Sequence, residues 1–204
     1  MTDTVTLLDT PTSQPASALA RRAMIDSQLR TSGVTALCAI GPMGRVPRED
    51  FVPASARAAA YMDRAVPLGG GQWLAAPLFH GTLVQEAAPQ ADDVAIVVDG
   101  GSGYLPELLR GQVAQLTVLT PEEALKAGKA NASLILIDGA IEQLPAALAA
   151  RLTDDGRLVT GLVENGVTSV ARGRKYGSTV TFLKLGEMGI PRLSAFDAPK
   201  GWSF

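Results

Sequence analysis

The apolar positions of this chain change rhythm near residue 94. Residues 94–98 (VAIVV), 115–119 (QLTVL) and 133–137 (SLILI) are short, nearly continuous apolar runs rich in β-branched residues, and stretches of helical spacing separate them. Such runs interleaved with helices predict a parallel sheet covered on both faces. The later segments RLVTGLV, TSVARG and STVTFLKL are divided by turn signals at residues 164–166 (ENG) and 175–177 (KYG). They predict an antiparallel meander.

Ahead of residue 94 the period is helical. Leu19, Ala23, Ile25 and Leu29 recur at helix-compatible intervals over residues 17–30, and Gly33 lies just beyond as a stop signal. A second helix is expected over residues 35–43, an irregular link over 46–53 (VPREDFVP), and an Ala-rich helix over 54–61. The three adjacent glycines of PLGGGQW (residues 67–73) argue against regular structure there, and residues 77–89 read as another helix. Residues 1–16 are rich in Thr, Ser and Pro with one small apolar patch, Leu7 and Leu8, so burial does not offset the entropy of ordering them. The expected organisation is a flexible tail over 1–16, a helical region over 17–90 and an α/β domain over 91–204.

Composition narrows the class. With 204 residues, 47% of them hydrophobic and 19% charged, the chain suits one compact globular unit with an appendage. Its 18 basic and 20 acidic residues give a net charge of -2, too little positive charge for a nucleic-acid partner. Cys38 is the single cysteine, no Cys/His cluster has metal-ligand spacing, and a reducing cytoplasm is the expected location. The N-terminus lacks a signal-peptide pattern, and no run approaches the roughly 18 apolar residues of a membrane helix.

The candidate chemistry gathers at VVDGGSGY, residues 97–104, where a strand meets a glycine turn and then a helix. Such a turn points backbone N–H groups at whatever lies above the sheet and suits a ribose, phosphate or carboxylate group, though a tight glycine turn is also simply good strand–helix geometry; Asp99, Gly100, Gly101, Ser102, Gly103 and Tyr104 are the candidate cofactor loop. After the second run, Thr120, Pro121, Glu122 and Glu123 make a capping box, and either glutamate remains open to a ribose contact. Asp138 closes the third run and suits either a turn cap or a ligand at the sheet's carboxyl edge. His80, the one histidine, sits in an apolar helix and reads as a packed or partly exposed side chain ahead of a catalytic base. Cys38 has no basic neighbour in sequence to activate it.

RRAMIDSQLRTSGV (21–34), VPREDFVP, AAAYMDRAVPLGGGQ (58–72), VVDGGSGY and DGRLVTGLV (155–163) together resemble the protein-L-isoaspartate O-methyltransferases, in that family's order. The resemblance implies a Rossmann-like methyltransferase fold that binds S-adenosylmethionine and methylates the free carboxylate of isoaspartyl residues in damaged proteins. That reaction needs little acid–base help, so no catalytic acid or base is assigned; positioning dominates. By the same resemblance Gly71, Gln72 and Trp73 are the substrate-binding residues.

Three departures stand out. Aligned on GSGY, the family's acidic residue and Gly-x-Gly-x-Gly fall on Val97, Asp99, Gly101 and Gly103; shifted by two, Asp99-x-Gly101-x-Gly103 restores acid-x-Gly-x-Gly but puts Leu105 at the next glycine. In the first frame the Asp99 carboxylate opposes the cofactor's own, at a cost of about 1 to 4 kcal/mol near 4 Å. Where the family has GQTISQP this chain has Trp73, Ala75 and Ala76, without hydroxyls; Trp73 suits packing or an adenine or peptide contact. Between Leu119 and Ser133 one edge strand–helix unit is missing. The loss exposes the edge of QLTVL, from which a homodimer is expected. Two functions follow as expectations: a pared-down isoaspartyl methyltransferase, or a non-catalytic relative that acts through protein–protein binding.

Overall fold

The computed structural model describes residues 16–199. The expected tail lies outside them except for Ala16, which already opens the first helix, α1 (Ala16–Met24). The helical pattern then continues as a wider π turn, Ile25–Leu29, and a 3-10 turn, Arg30–Ser32, until Gly33 at φ 87° ends it. Next come α2 (Leu37–Arg45), with Pro42 inside it, and two 3-10 turns, Arg48–Phe51 and Ala54–Ala59.

The segment PLGGGQW is regular after all. It forms a two-stranded antiparallel hairpin of β1 (Val66–Gly69) and β2 (Gln72–Leu74). Gly69, Gly70 and Gly71 sit at φ 97°, 58° and 82°, values that side chains resist, so the triplet builds the reversal between strands instead of preventing it. The rest of the chain is α3 (Pro77–Ala87), β3 (Val94–Val98), α4 (Tyr104–Leu109), β4 (Gln115–Leu119), α5 (Pro121–Ala124), β5 (Ala132–Ile141), α6 (Ala146–Ala149), β6 (Leu152–Glu164), β7 (Val167–Tyr176) and β8 (Thr179–Glu187).

Six strands form one sheet in the order β4-β3-β5-β6-β7-β8. The first four are parallel and the last two antiparallel, joined through Asn165 and Gly166 and through Gly177, all at positive φ. Strand alternation sends Ala95, Val97, Leu134, Leu136 and Val159 to one face, against Met24, Phe79 and Leu83 of the N-terminal helices. Ile96, Val98, Ile135, Ile137 and Leu158 face the other side, where Ala124, Leu148 and Phe196 cover them. Burial on both faces is why these strands read as continuous apolar runs. Only α5 and its loops connect β4 to β5, so β4 ends the sheet with Val118 45% exposed.

One polar cluster staples the amino ends of the strands. Asp93, just before β3, accepts hydrogen bonds from Ser133 Oγ on β5 (2.7 Å), Arg157 Nη1 on β6 (3.0 Å) and the Gln90 N–H (2.7 Å). Arg157 also donates to the carbonyls of Ala87 and Ala88 at the end of α3 (2.6 and 3.0 Å). Burial pushes the Asp93 carboxyl up, but the hydrogen bonds from Arg157, Ser133 and Gln90 outweigh it and hold the group below the usual carboxylate range.

A carboxylate depressed in this way stabilises the fold above its unfolded pKa, near ~4, and that contribution fades as pH falls through the folded value. Asp93→Asn is therefore expected to lower stability by about 2 kcal/mol at pH 7, with a smaller difference from the natural protein near pH ~3. Urea unfolding at the two pH values checks it; an equal difference at both would contradict it.

Candidate functional site

β3 ends at Val98, and residues 99–103 carry the chain across the sheet's carboxyl edge into α4. Gly101 and Gly103 take φ 105° and 72°. The Asp99 carboxylate turns back into this loop: it accepts the Gly101 N–H at 3.1 Å, and the Gly103 N–H at 3.0 and 3.1 Å on its two oxygens. Asp99 thus closes the strand and satisfies the loop's own donors, which favours the acid-x-Gly-x-Gly frame. Burial foremost, and then the charge of Asp138, push the Asp99 carboxyl up, against the pull of the two amides. At Gly100 an added Cβ would stand 2.4 Å from the Asp138 carbonyl oxygen, so β5 leaves room for no side chain there.

A chain of buried polar groups lies under the loop. Arg48, fully buried, donates through Nε to the Ala60 carbonyl (2.7 Å), through Nη2 to the Ala75 carbonyl, and through Nη1 to His80 Nδ1 (3.1 Å). A guanidinium only donates, so His80 Nδ1 accepts and the imidazole proton sits on Nε2. That Nε2 donates to Asp138 Oδ1 at 2.9 Å, and Ser102 Oγ reaches Asp138 Oδ2 at 3.3 Å. Tyr104 is fully buried, with Arg48 5.0 Å over its ring and the rings of His80 and Phe51 edge-on at 5.2 Å.

These positions correct parts of the sequence reading. Asp138 caps no turn and is 4% exposed, its carboxylate committed to His80 and Ser102. Ser102 turns toward Asp138 and the Tyr104 N–H, and Tyr104 is sealed beneath the loop, so neither lines the cleft above it. His80 is fully packed, and it also joins Arg48 to Asp138 by a hydrogen bond on each ring nitrogen. Arg48 was missed altogether: its partners lie 12, 27 and 32 residues along the chain, beyond the reach of any local period.

Above the loop a cleft of about 470 Å³ opens at the carboxyl ends of β3 and β4, lined by Gly71, Gln72, Asp99, Gly100, Glu122 and Arg192 among others. Gln72 leans over Gly101, where a Cβ would meet its side chain at 2.4 Å. The capping box is formed: Glu123 Oε2 accepts the Thr120 N–H (2.9 Å) and Thr120 Oγ1 accepts the Glu123 N–H (3.2 Å). Glu123 is thereby spent on α5, and Glu122 is the glutamate that lines the cleft. Successive residues of β2 point to opposite sides, so Gln72 borders this cleft while Trp73, 42% exposed, borders a second, apolar pocket of about 520 Å³ with Leu78, Met188, Ile190 and Arg64.

Residues 20–122 match the family profile described as Protein-L-isoaspartate(D-aspartate) O-methyltransferase. The chain is 29% identical over 186 residues to the protein-L-isoaspartate O-methyltransferase of Roseiflexus castenholzii, an overlap of 78% of this chain and 85% of that protein. It is 30% identical, also over 186 residues, to protein-L-isoaspartate O-methyltransferase 2 of an Anaeromyxobacter species, covering 75% of this chain and 76% of that one. Among solved structures, a Plasmodium falciparum chain described as a protein-L-isoaspartate O-methyltransferase in complex with S-adenosyl-L-homocysteine superposes with a TM-score of 0.67 at 15% identity, covering 89% of this chain and 100% of that chain.

Removal of the buried cation leaves Asp138 uncompensated, so Arg48→Met is expected to cost about 3 to 5 kcal/mol in denaturant unfolding. In the natural protein, nitrogen-15 NMR of the one imidazole is expected to place its proton on Nε2. A proton on Nδ1 would contradict this pair of hydrogen bonds.

Proposed function

The chain belongs to the protein-L-isoaspartate O-methyltransferase family, and on that footing we propose that it binds S-adenosylmethionine in the 470 Å³ cleft and methylates the free carboxylate of isoaspartyl residues in proteins. The observation that carries this reading is the glycine loop opening onto that cleft at the carboxyl ends of two parallel strands, where open α/β sheets place their ligands.

The residues present fit the cofactor. The volume lies within the roughly 300–1,000 Å³ of small-molecule sites. Gly100 and Gly101 keep side chains off the floor, Glu122 offers two acceptors at the end of β4 for a ribose diol, and Asp99 sets a carboxylate in the cleft for a cationic group. When bound, the cofactor supplies an electrophilic methyl on a sulfonium. The chain's residues supply position: the loop amides clamp Asp99, Gln72 leans over Gly101, and the hairpin around Gly71 and Trp73 orients the peptide. A substrate carboxylate is already ionised at neutral pH, so no general base enters. The apolar pocket beside Trp73, with Arg64 among its lining residues, supports a seat for the flanking peptide.

No helix among the described residues is long and apolar enough to cross a membrane, and the single cysteine supports a place in the reducing cytoplasm. A second reading, a non-catalytic relative acting through protein–protein binding, is favoured by the outer edge of β4, which pairs with no strand among the described residues. Edge-to-edge pairing of two copies through β4 would cover Val118 and form a homodimer.

Isothermal titration with S-adenosylmethionine is expected to give a micromolar Kd, and radiolabelled methyl is expected in an isoaspartyl peptide but not in its normal aspartyl twin. No transfer at saturating cofactor would sink the enzymatic reading. In Gly100→Ala the Cβ would collide with β5, and binding is expected to weaken at least about tenfold, equivalent to ~1.4 kcal/mol. Sedimentation should show a dimer that Val118→Lys dissociates; a monomer at high concentration would remove the β4 pairing.

A further inference from the structure

The cleft is one-sided in charge. Asp99 and Glu122 line it, whereas the nearby Asp138 is already the countercharge of buried Arg48 through His80. Arg192, the cation lining it, is held at 2.6 Å by both Glu142 and Asp197, so its charge is already matched by carboxylates. The amides of Gly101 and Gly103, which would otherwise soften a negative charge arriving from a ligand, are taken by Asp99.

We propose that Asp99 makes this cleft select adenosyl ligands by their positive charge, holding the charged sulfonium form in preference to the neutral thioether that remains after methyl transfer. The inference rests on the cofactor reading above and deepens it. S-adenosylmethionine and S-adenosylhomocysteine share adenine, ribose and amino-acid tail, and differ by one methyl and one unit of charge. Contacts to the shared parts cancel in the ratio of their affinities, and the ratio therefore reports the field at the sulfur.

Transfer itself removes that charge. The substrate carboxylate oxygen forms a bond to the methyl carbon as the S–CH3 bond breaks, the bonding electron pair stays on sulfur, and no proton moves. The substrate loses its negative charge to become a neutral ester, while the sulfonium becomes a neutral thioether. A cleft that prefers the cation therefore releases its spent cofactor readily, and product inhibition is weak. Loop geometry limits the effect to Asp99's charge: Asn at this position keeps the shape and one side-chain acceptor for the Gly103 N–H while deleting the charge.

The test is titration calorimetry of the full chain and of Asp99→Asn with S-adenosylmethionine and S-adenosylhomocysteine, with thermal melting to verify that the variant is folded. The natural protein is expected to bind the sulfonium at least about tenfold tighter, a difference of ~1.4 kcal/mol, and Asp99→Asn to bring the two within about threefold. A ratio near unity in the natural protein, or an unchanged ratio in Asp99→Asn, overturns the proposal and leaves the cofactor reading standing. Should the natural protein bind neither while Asp99→Gly binds both, Asp99 blocks the cleft and does not select, which also overturns it. If no form of the protein binds either ligand, the cofactor reading itself fails and this inference falls with it.

Discussion

A guanidinium sealed from water needs an internal countercharge, and the arrangement of this protein around its glycine loop follows from that need. Arg48 comes from the turn after α2, His80 from α3, and Asp138 from β5. The neutral imidazole separates cation from anion while hydrogen-bonding to both, so burial of the pair leaves no ionised group without a partner. Because the same Asp138 meets Ser102, the chain of contacts continues into the loop. The helical cover and the sheet are thus locked at the point where the ligand edge begins. Tyr104 fills the space between Arg48 and His80, which accounts for a residue of the loop motif turning inward.

The sheet was legible in the sequence because strand burial is a local property. VAIVV, QLTVL and SLILI each announce two covered faces, and the turns at Asn165 and Gly177 announce the meander. The capping box was legible for the same reason: Thr120 and Glu123 lie three residues apart, and their partners are each other. The hairpin at residues 66–74 was not, because glycine triplets are common to loops and to tight reversals, and only the pairing of Pro67 with Trp73 distinguishes them. Arg48 was invisible because a buried charge is defined by what surrounds it in space, and none of its partners is a sequence neighbour.

The glycine loop shows how one acidic side chain can hold a backbone turn and charge the space above it at once. Asp99 occupies the amides from within the chain, so the backbone turn is held without a ligand and the cleft acquires a fixed negative charge. The short crossover from β4 to β5 acts in the other direction. It shortens the wall beyond β4 to the single turn of α5, and it leaves Glu122 as the acid from that wall lining the cleft.

The β1–β2 hairpin is a partition with a different ligand space on each side, and the run of residues 188–195 borders both. Any shift of the partition that enlarges one space narrows the other. Were each space to hold a ligand, any coupling across the hairpin would be reciprocal: whatever one ligand did to the affinity of the other would be returned in equal measure.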